Sequence, residues 1–189
     1  MIFYVIVIWG ADAIILFLNM VFCRDFLTVR EICMVTLLMP FGLIAIDGLA
    51  AFLVRYTLPK KWFDHKVKFH VASKKECVLY EKLGIKAWKD HILELGMFTS
   101  FSKKSVREQN AGYIERFILE CNYGAWGHLA GIVLGFVPVI CLPQKYLLTI
   151  ILPGAYVNAF LSLLPLLILR YNVPRLQRML VVLQKREAE

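Results

Sequence analysis

Four long apolar runs, at about residues 2–22, 33–58, 125–142 and 146–169, alternate with polar stretches along the chain. Each reaches the roughly 20 residues that a helix needs to cross hydrocarbon, and only helices or closed barrels satisfy every backbone group there. Pro40 falls inside the second run and predicts a kink. The pattern predicts an all-α integral membrane protein of about four transmembrane helices, a single membrane domain over residues 1–189. The first run has no basic start and no Ala-x-Ala cleavage site, so it is expected to stay as an uncleaved anchor.

Between the second and third runs, about residues 59–124 form a polar segment in which Trp62, Phe63, Phe69, Tyr80, Trp88, Phe98, Phe101 and Tyr113 are interleaved with lysines. Lysines beside aromatics suit the headgroup zone, which predicts interfacial amphipathic segments here. Helical spacing is visible over residues 76–83 and 111–123; in the latter Ile114, Phe117, Ile118 and Cys121 share a face opposite Glu115 and Arg116. Residues 170–189 form a basic tail.

Charge turns this pattern into a topology. The 22 Lys and Arg residues divide into 14 in the middle segment and its flanks, 5 in the tail and 3 in the two short loops. By the positive-inside rule the middle segment and both termini are expected in the cytoplasm of a multi-pass cell-membrane protein. With 59% hydrophobic residues and mean hydropathy +0.64, the net charge of +8 fits anionic lipid headgroups rather than nucleic acid. The five cysteines are scattered singly and have no histidine at ligand spacing, so neither a disulfide framework, nor a metal, nor a cofactor site is expected.

Glu120 and His128, eight residues apart, fall on overlapping helix faces about 12 Å apart. A break at Gly124 or Gly127 would bring them closer. A neutral imidazole at a membrane entrance can take a proton from a substrate hydroxyl, and a carboxylate can fix its tautomer. The plainer reading makes both residues ordinary interfacial groups. Asp12 and Asp47 lie inside the first and second apolar runs, where a carboxylate costs about 2.5–3.5 kcal/mol, so both should face the bundle interior. Asp47 could orient His128, or it could simply bond neighbouring helices. Arg170 and Arg175 sit where the fourth run ends, either as a stop-transfer signal or as a grip on an anion. Asp47-Gly48-x-x-Ala51 opens like a phosphatidyltransferase metal motif, but Phe52 stands where that motif needs arginine. No Gly-rich phosphate loop, G-x-S-x-G elbow, H-E-x-x-H or H-x-x-x-x-D box is present.

Four short segments in order carry a resemblance. They are Lys61-Trp62-Phe63-Asp64; Tyr80 to Leu93 with Trp88-Lys89-Asp90; Tyr113 to Glu120 with His128 beyond; and Arg170-Tyr171-Asn172-Val173-Pro174-Arg175-Leu176. The order, over about residues 59–180, resembles the glycosyl-diaponeurosporenoate acyltransferase family of bacterial membrane enzymes, whose named member acylates a sugar hydroxyl of a carotenoid glycoside. The resemblance implies a family acid at Glu120 and a family histidine at His128. It implies a WKD element at Trp88, Lys89 and Asp90, and an exit motif at Arg170, Tyr171, Asn172, Pro174, Arg175 and Leu176. The chain departs from the family pattern with Cys121 for Thr, Tyr123 for Arg, Ala125 for a second Glu and Val173 for Arg, and its first apolar helix is additional.

The reading that follows is an acyltransferase moving a fatty acyl group, from a thioester or a membrane lipid, onto a hydroxyl of a lipid-linked sugar. His128 is the expected base, oriented by Glu120 or Asp47. Trp62, Asp64, Trp88, Lys89, Asp90, Arg170, Tyr171, Asn172 and Arg175 are the expected substrate contacts. Two rivals stand beside it: a non-enzymatic accessory protein whose basic segment binds lipid or a partner, and a small transporter using Asp12 and Asp47.

Overall fold

The structure, a computed structural model, describes residues 2–64, 67, 71–92 and 110–189, with the side chain of Asp90 outside the description. Its helices are α1 (Ile2–Phe22), α2 (Val29–Thr57), α3 (Lys74–Lys82), α4 (Ile85–Trp88), α5 (Ala111–Leu134), α6 (Val137–Cys141) and α7 (Leu152–Ala188), with no strand among the described residues. Four helical stretches are long and apolar enough to span a membrane: Ile2–Phe22, Val29–Thr57, Ala111–Cys141 and Gln144–Ala188. Phe17 and Phe22 on α1, Leu38, Phe41 and Phe52 on α2, and Tyr156 and Phe160 on α7 all point outward. In water these surfaces would be a large uncovered patch, whereas in a bilayer they meet lipid. The protein is an all-α membrane protein.

Local chemistry sets where the helices begin. α2 starts upstream of the expected position because Thr28 and Glu31 form reciprocal bonds: the Glu31 carboxylate accepts from the Thr28 N–H at 2.9 Å and the Thr28 hydroxyl accepts from the Glu31 N–H at 3.3 Å. Ser73 and Glu76 close the same kind of box at the start of α3. Gly84, at φ +68°, makes the left-handed step between α3 and α4 that a side chain would strain. α5 begins fourteen residues before the expected span, and α7 carries the fourth apolar run through the basic tail as one helix with Pro165 and Pro174 inside it.

The described chain divides into two compact units, Met1–Phe52 with Gly127–Leu163, and Leu53–Trp126 with Leu164–Glu189. In the first, Cys23, Leu27, Ile32 and Ile150 form one buried cluster, and Met39, Leu43 and Ile151 another. Here α1 repairs α7. Pro153 has no N–H to offer the carbonyl of Thr149 four residues back, and Asn19, 1% exposed, donates to that oxygen at 2.9 Å. Pro165 likewise leaves the carbonyl of Leu161 without its helix donor, and the Tyr4 hydroxyl donates to it at 3.4 Å. Prolines are tolerated in apolar helices when neighbours satisfy the carbonyls they orphan.

In the second unit, Ala111, Ile114, Phe117, Ile118 and Cys121 of α5 pack on Val173, Leu180 and Leu183 of α7. Ile114, Phe117, Ile118 and Cys121 are the face expected from sequence, and the partner they meet is the basic tail folded as helix. A second cluster joins Ala72, Tyr80 and Ile85 to Ile168 and Tyr171, with Trp88 against it. The expected interfacial aromatics Phe69, Phe98 and Phe101 lie outside the described residues.

Candidate functional site

In the first unit α2 and α5 approach closely because α5 carries glycines facing α2. A Cβ on Gly127 would stand 3.4 Å from the Cα of Ala51, and one on Gly131 would stand 2.5 Å from Oδ1 of Asp47, closer than real Cβ contacts come. Glycine at 131 therefore lets the Asp47 carboxylate lie against the backbone of α5. That carboxylate is held from the other side by α7: Asn158 Nδ2 donates to Oδ1 at 3.1 Å and Ser162 Oγ donates to Oδ2 at 3.0 Å. Asn158 and Ser162 are 8% and 4% exposed and sit one helical turn apart. Gly135 clears space in the same way, since a Cβ there would stand 2.7 Å from Asn158 Nδ2.

His128 is half-buried and lies three residues before Gly131, a neighbouring position on the same face of α5. Sequence reasoning named Asp47 and His128 but missed Asn158 and Ser162. Their signal was two polar residues at i, i+4 spacing in an otherwise apolar helix.

Glu120 belongs to another arrangement. α5 is unbroken from Ala111 to Leu134, so no break at Gly124 or Gly127 draws Glu120 toward His128. Both carboxylate oxygens of Glu120 accept from the guanidinium of Arg55, each at 2.8 Å, in the paired geometry that arginine favours. Arg55 also stands 5.6 Å from the centroid of the Tyr123 ring, which lies 4.5 Å from the ring of Phe63. Asn122, 2% exposed, donates to the Phe63 carbonyl at 2.7 Å. The turn after α2, containing Trp62 and Phe63, is thereby fastened to α5. Trp62 is exposed and Asp64 half-buried.

The remaining expected substrate contacts gather around α3 in the second unit. Arg170 donates to Glu76 Oε1 at 2.8 Å, and Tyr80 donates to the same oxygen at 3.3 Å. Tyr171, 2% exposed, donates to Glu81 at 3.0 Å, and the guanidinium of Arg175 lies 3.8 Å over the Tyr171 ring while also bonding its hydroxyl. The Ser73 N–H, and then the Arg170 guanidinium, hold the Glu76 carboxyl down at about 2. Lys86 first, then Tyr171, holds Glu81 below the usual carboxylate range. Trp88 packs on the Ile168–Tyr171 cluster and donates its indole N–H to the Leu83 carbonyl at 3.0 Å. Lys89 and Asn172 are half-buried, and the side chain of Asp90 lies outside the described residues. Trp88 of the WKD element and Tyr171 of the exit motif therefore belong to one packed cluster.

The sequence model of the glycosyl-4,4'-diaponeurosporenoate acyltransferase family matches residues 59–182, about two thirds of the chain. The chain belongs to this family. A search of curated proteins and one of solved structures find no match. Arg55, whose guanidinium stands beside Glu120, lies on α2 before the matched residues. α1 and all of α2, including Asp47, precede the matched residues.

Proposed function

We propose that this protein transfers a fatty acyl group onto a hydroxyl of a lipid-linked sugar at the cytoplasmic side of a cell membrane. Membership of the acyltransferase family over residues 59–182 is the observation that carries this reading. His128 is the general base. It takes the proton of the acceptor hydroxyl as that oxygen attacks the acyl carbonyl carbon. The tetrahedral intermediate then collapses to the new ester, and the thiolate or alkoxide of the donor leaves with the proton returned by the imidazolium.

Asp47 is the positioning acid for His128. Its two hydrogen bonds from α7 and its place against Gly131 support the role, because a carboxylate that orients a ring must itself be held. Glu120 is not free for that task while Arg55 occupies both its oxygens; its role is to anchor the end of α2 to α5. Arg170 serves to hold α3 through Glu76. Arg175, with a side chain 39% exposed, keeps guanidinium N–H groups for the anionic end of the donor. Trp62 and Lys89 border the route by which the donor arrives, and the basic segment and both termini face the cytoplasm.

The reading is tested by comparing lipid extracts from cells with and without the gene. An acylated glycolipid that disappears with the gene, while its deacylated precursor accumulates, is the expected result. Identical lipid profiles would leave the accessory-protein reading in its place.

A further inference from the structure

Three polar side chains share the face of α1 that packs on α7. Tyr4 and Asn19 each satisfy a carbonyl that a proline has orphaned. Asp12, between them, has no hydrogen-bond partner among the described residues, although it is only 6% exposed. It opens instead onto a half-open recess of the first unit whose enclosed space is about 50 Å³. The wall is hydrocarbon, chiefly Ile8, Leu43, Ile44 and Leu161, and Asn158 is the other polar group on it. Asn158 donates from Nδ2 to Asp47, and its carbonyl oxygen is a further acceptor.

A carboxyl without a partner in hydrocarbon is costly, and such residues in membrane helices mark ligand paths by default. In small-molecule sites a mostly apolar lining with few polar groups fixes orientation. Asp12 is ten residues from either end of α1, so it stands about 15 Å from both helix ends. That depth matches no phospholipid ester, since those oxygens lie near the headgroups at the helix ends. In its protonated form an aspartic acid offers an O–H and a carbonyl to a single oxygen.

We infer that this cavity is a binding site for an aliphatic chain that carries one hydroxyl or carbonyl oxygen part-way along its length, received by Asp12 and Asn158. The apolar wall holds the carbons, and the two polar groups select the oxygenated chain over a plain one. The site lies outside the family-matched residues except for the α7 stretch, and its occupancy does not depend on acyl transfer.

The test uses the purified full chain in phosphatidylcholine nanodiscs, labelled with a stearic acid bearing a photoreactive diazirine midway along its chain. Crosslinks are expected on peptides covering residues 8–15, 39–44 and 154–161. 12-Hydroxystearic acid should compete about fivefold better than stearic acid, the size of one hydrogen bond inside a membrane protein. Asp12→Leu should keep the crosslinks and lose that preference, and Gly154→Leu, which fills the cavity, should diminish labelling by either chain. A phosphatidylcholine carrying a 12-hydroxystearoyl chain, run in parallel, assigns the site to a membrane lipid if it competes as well as the free acid, and to a free chain if it does not. Equal competition by the two acids in the unaltered protein, or a preference that survives Asp12→Leu, would overturn the inference. His128→Ala should leave the preference intact, so this result and that of the transfer assay are read separately.

Discussion

At the scale of single residues, the exit motif and α3 are held by charges whose behaviour with pH has a definite sign. The Glu76 carboxyl sits at about 2, held below its ordinary value of 4.5 by the Ser73 N–H and by Arg170. A carboxyl lowered by folding stabilises the fold above its unfolded value and loses that contribution as pH falls toward the folded one. Thermal unfolding of the protein and of Glu76→Gln should therefore differ most at pH 6 and converge as pH is lowered from 5 toward 2. A gap that widened toward acid would mean that the Arg170 contact does not form. This pair was not legible in the sequence, because Glu76 and Arg170 are 94 residues apart and each has many possible partners. The same holds for Arg55 and Glu120, separated by 65 residues. What local sequence did show was residue type: acids and arginines at interfacial helix ends, a histidine at the start of an apolar run, and an aspartate inside one.

At the scale of elements, apolar length was the readable quantity and helix ends were not. α1 occupies Ile2–Phe22, as its unbroken apolar run predicts. α2 starts at Val29 because a Thr28–Glu31 box nucleates it in a stretch too polar to count as membrane span. α5 and α7 both continue past the apolar runs, since Ile114, Phe117 and Ile118 bury themselves on Val173, Leu180 and Leu183 and make helix favourable outside the hydrocarbon too. The glycines of α5 could be read from sequence only as possible breaks. They serve instead as contact points at which α2 comes close enough for Asp47 to touch the backbone. Gly131→Leu should therefore push the helices apart, lower thermal stability by about 1–3 kcal/mol, as overpacked sites do, and sharply reduce acyl transfer. An unchanged melting temperature measured in detergent would show that the α2–α5 contact is looser than the Gly131 geometry requires.

At the scale of the whole molecule, a membrane protein of four apolar helical spans matches the acyltransferase family over residues 59–182. The topology proposed for it rests on where 19 of the 22 basic residues lie. Single cysteines placed near the N-terminus, in the loop at Lys145 and after Arg186 of a variant lacking the native cysteines should divide cleanly. An impermeant maleimide added to intact cells should label only the loop position, and labelling of either terminus would invert the proposed orientation. The role proposed for the imidazole at residue 128 is to remove the proton from an acceptor hydroxyl during acyl transfer. Its most direct test is the initial rate of ester formation by the purified full chain in nanodiscs, with His128→Gln measured beside it at matched folding and thermal stability. General-base catalysis predicts a loss of about a hundredfold or more, whereas a rate within a few fold of the unaltered protein would contradict the account.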